Sequence, residues 1–167
     1  MARILGIDPG SRVTGYGIVD EHAGAMVLVT CGCITMDAEH FPDRLKRIYQ
    51  GIHQLVLEHG PDELAVEQVF MHKNADSALK LGQARGAAIC AAMAQDLPVY
   101  EYSAKQVKQA LVGKGGADKE QVAHMVKFLL KIQENMRLDA SDALGVALCH
   151  AHHQQTLRRM ARLTAAR

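Results

Sequence analysis

The chain has 167 residues, of which 49% are hydrophobic and 22% charged, with 19 basic side chains against 18 acidic ones. That length suits a single domain, and that apolar fraction excludes a chain that is mainly disordered. No uncharged apolar run reaches the roughly 18 residues that a membrane helix needs, and Asp8 cuts the N-terminal apolar stretch too short for a signal peptide, so a cytoplasmic protein is expected.

Residues 3–8 are short, apolar and closed by Pro9-Gly10, which predicts a first strand. Residues 13–20 and 26–36 predict a second and a third, joined by short turns into an antiparallel meander. The period then changes. Leu45, Ile48, Tyr49, Ile52, Leu55 and Val56 recur at helical spacing, with Asp43 as the expected N-cap and Gly60-Pro61 as the stop. A fourth strand is expected over 63–69, a helix over 76–95 and a fifth strand over 99–102; this alternation implies parallel neighbours. Ser103 with Gln106, and Asp118 with Gln121, have capping-box spacing and predict two more helices. A last helix is expected over 140–155. The fold class is α/β, a mixed five-stranded sheet with helices on both faces, spanning 1–155 and followed by a flexible basic tail over 156–167.

Cys31, Cys33, Cys90 and Cys149 contain no C-x-x-C pair and read as free thiols of a reducing compartment. Charge is balanced overall but uneven locally. Residues 103–132 hold Lys105, Lys108, Lys114, Lys119, Lys127 and Lys131 against Asp118 and Glu120, and the tail adds Arg158, Arg159, Arg162 and Arg167 without an acid. Such a run is either a solvated face or a footprint for phosphate.

Four acids in three segments carry the chemistry. Asp8 ends an apolar strand, where a charge is costly unless compensated; it is either a turn residue bonding the amides two residues on or part of a site. Glu67 interrupts Leu64-Ala-Val-Glu-Gln-Val-Phe70. In a buried parallel strand it needs a metal or a basic partner, whereas on an edge strand it would face water. In Arg137-Leu-Asp139-Ala-Ser-Asp142 the two acids share one helical face, as first-turn caps or as ligands. If all four converge, they raise one another's pKa values, and divalent cations remove the conflict. All-oxygen ligands suit Mg²⁺ or Mn²⁺, and two such ions about 4 Å apart clamp a phosphodiester for in-line attack. His150 and His153 share a helical face with no further ligand at hand, and read as a solvated helix end.

In order, Gly6-Ile-Asp8-Pro-Gly10, Thr14-Gly15-Tyr16-Gly17, Glu67-Gln-Val-Phe70 and Asp139-Ala-Ser-Asp142-Ala-Leu resemble the RuvC-type Holliday junction resolvases, nucleases of ribonuclease H-like fold, over nearly the whole chain. The resemblance implies that Asp8, Glu67, Asp139 and Asp142 are catalytic and bind two Mg²⁺, with Mn²⁺ able to substitute. Some members carry histidine where this chain has Asp139, so this is the four-carboxylate variety. The resemblance also implies a homodimer that nicks four-way junction DNA symmetrically, leaving 5′-phosphate and 3′-hydroxyl ends in recombination and repair. A junction-binding protein and a branch-migration motor are its implied partners. Lys108 and Lys119 match family lysines beside the active site, with Lys105 and Lys114 in the same basic patch. Phe70 resembles a residue that stacks on an unpaired base, and His72 and Lys73 follow in the same loop, within reach of DNA. The small-residue helix Gly82-Gln-Ala-Arg-Gly86-Ala-Ala-Ile-Cys-Ala-Ala92 either matches the family's dimer interface or packs on its own sheet. Two other classes stay open: a non-catalytic nucleic-acid-binding relative, and an ATPase or kinase-like domain whose Asp8-Pro-Gly10 turn cradles phosphate.

Overall fold

A computed structural model describes residues 1–69 and 74–165. Strands β1 (Ala2–Asp8), β2 (Val13–His22) and β3 (Ala25–Thr35) form the expected antiparallel meander. Strand β4 (Glu63–Glu67) lies parallel to β1, and β5 (Val99–Tyr102) parallel to β4, in the order β3-β2-β1-β4-β5. Glu67 therefore ends an interior strand, which removes the edge-strand reading. Leu64, Ala65 and Val66 just before it are wholly buried.

Side chains alternate between two cores, as strand geometry requires. Leu5, Ile7, Ile18, Leu64 and Val66 pack under helices α1 (Phe41–His59) and α2 (Ala75–Met93). Ile4, Val19, Ala65 and Tyr102 pack under α3 (Ala104–Val112), α4 (Lys119–Leu130) and α5 (Leu138–Ala165). Both capping boxes form, Ser103 with Gln106 and Asp118 with Gln121. Among the described residues, no helix is long and apolar enough to cross a membrane.

Several boundaries differ from expectation. The N-cap of α1 is His40; Asp43 lies in the first turn, where its charge favours the positive end of the helix. β4 stops at Glu67, and α2 ends at Met93. α5 starts at Leu138 and runs to Ala165 instead of ending at 155. The apolar periodicity fades where α5 leaves the sheet, but no glycine or proline stops the helix there, and Arg158 is anchored to the buried Glu21 at 2.7 Å. His150 is not at a solvated helix end: it is fully buried, 2.7 Å from the Tyr102 hydroxyl and 2.5 Å from Glu63 Oε2.

Two glycines decide how closely α5 approaches the sheet. A Cβ at Gly6 would strike the Ala143 carbonyl and the Ala147 side chain, and one at Gly15 would strike the Asp139 carbonyl. Gly15 is the cross-strand partner of Asp8, so the start of α5 is pressed directly beside the end of β1. Gly15→Ala forces the helix off the sheet. The expected cost is about 1–3 kcal/mol, typical of overpacking, read as an earlier urea midpoint together with a weaker response to divalent cation.

Candidate active site

Each of the four acids sits at or near the end of an element. Asp8 closes β1, Glu67 closes β4, Asp139 lies in the first turn of α5, and Asp142 follows three residues later on the same helix. The alternative role for Asp8 fails on its hydrogen bonds. The Gly10 amide donates to Thr14 Oγ1 at 3.3 Å, and the Thr14 hydroxyl donates back to the Gly10 carbonyl at 3.0 Å. The buried Thr14 closes the Pro9-Gly10 turn, leaving the Asp8 carboxyl free for the site. Asp139 is the second residue of α5, past the capping position.

Burial is the first cause that pushes the Asp8 carboxyl up to about 8; the charges of Glu67 and Asp142 add to it. Glu67 is raised as well, by burial and by Asp142, and is relieved by a hydrogen bond with Asp8 and by Lys119 and Lys108. Like charges are thus confined at one spot with two ammonium groups for compensation. Lys119 Nζ lies 3.3 Å from Asp142 Oδ2, and its own pKa is raised, chiefly by Asp142. Glu67, Lys108, Lys119 and Asp142 line a cleft of about 70 Å³ with Val107, Val122 and Val146. The structure therefore brings together Asp8, Glu67, Asp142, Lys108 and Lys119.

Asp139 is adjacent but turned aside. Its carboxylate lies 3.7 Å from the Arg137 guanidinium, and it is the weakest of the charges that raise Asp8. Among the described residues, no three carboxylate, imidazole or thiol groups already form a closed metal cage. The donor set nevertheless fits a hard divalent cation: it is all carboxylate oxygen, and its members repel one another until a cation joins them. Lys105 and Lys114 are not brought to the cleft. The Lys105 stem lies against Gly115, and Lys114 is exposed in the turn between α3 and α4. Phe70, His72 and Lys73 lie outside the described residues.

Sequence reasoning missed Arg85. From α2 it donates Nε to the Glu67 carbonyl at 3.2 Å and pairs with Glu101 at 2.6 Å, bracing the end of β4. A lone guanidinium among small residues, Gly82-Gln-Ala-Arg85-Gly86, was the available signal.

A mixed sheet of this order, with acids at the ends of β1 and β4 and at the start of the final helix, is that of a ribonuclease H-like nuclease. The model of the crossover junction endodeoxyribonuclease RuvC family matches residues 4–150. A crossover junction endodeoxyribonuclease RuvC of Methylococcus capsulatus is 68% identical over 163 residues, 98% of each chain. One of Tolumonas auensis is 60% identical over 96% of this chain and 93% of its own. The Thermus thermophilus RuvC solved in complex with Holliday junction substrate superposes with a TM-score of 0.87 at 34% identity, over 93% of this chain and 96% of that one. The chain belongs to the RuvC family of crossover junction endodeoxyribonucleases, hydrolases of DNA recombination and repair. Family membership selects the nuclease over the ATPase and non-catalytic alternatives.

Proposed function

We propose that this chain resolves four-way (Holliday) DNA junctions by paired, symmetric nicks that leave 5′-phosphate and 3′-hydroxyl ends, using two Mg²⁺ held by Asp8, Glu67, Asp139 and Asp142, with Mn²⁺ able to substitute. The observation that carries this reading is the gathering of Asp8, Glu67 and Asp142 beside Lys108 and Lys119, where burial first, and then the charges of Glu67 and Asp142, push Asp8 up to about 8. When bound, the two cations supply activation of the attacking water and stabilisation of the departing 3′-oxygen. Asp8 and Glu67 provide the ligands fixed by the sheet. Asp142, which pairs with Lys119, and Asp139, which pairs with Arg137, would complete the ligand set, and the two basic groups would then be available to phosphate. Lys108 stays at the cleft wall, where it meets the DNA backbone. Phe70, three residues beyond Glu67, stacks on an unpaired base at the crossover, a contact of about 1–3 kcal/mol. Lys105 and Lys114 contribute only to the outer field that draws in DNA. The nuclease domain is 1–155, and the remaining basic segment has no catalytic role.

The substrate reading is supported by the Thermus relative, which was solved on a Holliday junction. A homodimer matches the two-fold symmetry of that substrate. The small residues of α2 support such a pairing, because they divide between two faces. Ala84, Ala88, Ala91 and Ala92 are buried within the chain, whereas Gly82 and Gly86 face open space beside the exposed Leu79. The protein works in the cytoplasm with a junction-binding protein and a branch-migration motor.

The test compares a labelled four-way junction with a linear duplex of the same sequence, in Mg²⁺ and in chelator. Paired nicks at the junction alone, and only with metal, are expected. Binding without cleavage in either Mg²⁺ or Mn²⁺, across several junction sequences, overturns the reading.

A further inference from the structure

Two elements carry most of the acids, and a buried hydrogen-bonded chain ties them together away from the cleft. On β4, Glu63 and Glu67 are four residues apart and so share a face of the strand. On α5, Asp142 and His150 are eight residues apart, with Val146 between them at the cleft wall. Four strand residues span about 13 Å and eight helical residues about 12 Å. The two elements run in opposite senses, because β4 advances toward the cleft and α5 away from it. Their lengths therefore match: where Glu67 and Asp142 line the cleft at one end, Glu63 and His150 meet at the other, 2.5 Å apart. The imidazole is wholly buried, its ring lies 4.4 Å from that of Tyr100, and its Nδ1 is 2.7 Å from the Tyr102 hydroxyl. Tyr102 is the β5 residue in register with Glu67. One arrangement satisfies all three groups: the Tyr102 hydroxyl donates to Nδ1, and Nε2–H donates to the Glu63 carboxylate. Burial lowers the His150 pKa and raises that of Tyr102 to about 12, which keeps both neutral in that arrangement.

We propose that Glu63, His150 and Tyr102 form a latch that sets the separation of Glu67 and Asp142, so that these three are positioning residues for the metal-binding carboxylates. The inference rests on the two-metal reading above. Among the described residues, the Glu63–His150 bond is the side-chain hydrogen bond that joins α5 to β4 itself; Arg158 ties the helix to Glu21 of β2, and the glycine contacts are with β1 and β2. A carboxylate displaced by about 1 Å is enough to cost some 10²-fold in a reaction that depends on geometry. Neither Glu63 nor His150 touches the substrate in this scheme.

The test measures Mg²⁺ binding to the metal-free protein by calorimetry, and separately the Mg²⁺ midpoint for junction cleavage and the thermal midpoint. His150→Phe keeps the ring stack on Tyr100 and removes the bonds; Glu63→Leu removes the carboxylate from the partly exposed end. Each is expected to raise both Mg²⁺ midpoints by about tenfold, the lower range for loss of a group that orients a metal ligand. The double variant should add nothing to the worse single one, because a single linkage is broken. Glu63→Gln still accepts from Nε2 and should stay close to the native midpoint. Junction binding in chelator should be unchanged in all of them. A fall in thermal midpoint with native Mg²⁺ midpoints would make the chain of bonds purely structural and overturn the proposal, as would native protein that binds no Mg²⁺. Native protein that binds Mg²⁺ with the expected dependence on the latch but cuts no junction would overturn the resolvase reading alone.

Discussion

Asp8→Asn abolishes junction cleavage and leaves junction binding intact. The asparagine keeps the size of the side chain and one oxygen, but it removes the negative charge that two cations would share at the end of β1. Loss of one such preorganised electrostatic group costs at least about 10²–10³-fold in rate, measured as single-turnover cleavage at saturating Mg²⁺. Binding survives because Lys108 and Lys119, the proposed phosphate contacts, keep their places on α3 and α4. A rate within tenfold of native would remove Asp8 from the metal-binding set.

The metal-free protein loses stability as the pH rises from 5 to 8, and Mg²⁺ restores it. Asp8 is raised from 3.8 to about 8 in the folded state, so between those values the unfolded chain has released a proton that the folded chain retains. The folded state is then the one that binds more protons, and it is penalised as protons become scarce. Glu67 is shifted in the same direction and adds to the slope. Asp8→Asn should flatten this dependence, giving a melting temperature at pH 8 above native by at least about 3 °C, the shift that roughly 1 kcal/mol makes in a domain of this size. At pH 5 the two proteins should melt close together. Mg²⁺ binding to the native protein at pH 7 should release protons, seen as a calorimetric enthalpy that varies with the buffer's ionisation heat. A native melting temperature that does not change over this pH range would mean that the acids are not crowded in solution.

The linear pattern of residues was sufficient for the elements and for singling out four acids as candidates. Alternation in the first three strands, the fully apolar run around Ala65, the two capping boxes and the four motif acids are local signals, and each is set by a few neighbouring side chains. Signals of that kind fail at the ends of elements. Nothing in the local composition ends α5 at 155, and Asp43 looked like a cap because a first-turn acid and a capping acid satisfy the same electrostatics.

Only the tertiary structure decided what those acids face. Gly15 is an ordinary strand glycine in sequence; its role is to admit the Asp139 backbone next to Asp8, across about 120 residues of chain. His150 read as solvated because helical spacing alone does not reveal that the opposite strand supplies Glu63 and the next one Tyr102. Arg85 braces Glu67 through a backbone carbonyl, a partner with no sequence identity at all. Lys105, Lys108, Lys114 and Lys119 are one basic run in sequence, yet two reach the cleft and two do not, because two helices and the turn between them point successive lysines in different directions. Sequence determined which chemical groups this protein has and which elements carry them. Long-range packing, which depends on shapes brought together from distant parts of the chain, decided which of those groups meet, which are buried, and therefore which are driven to seek a cation.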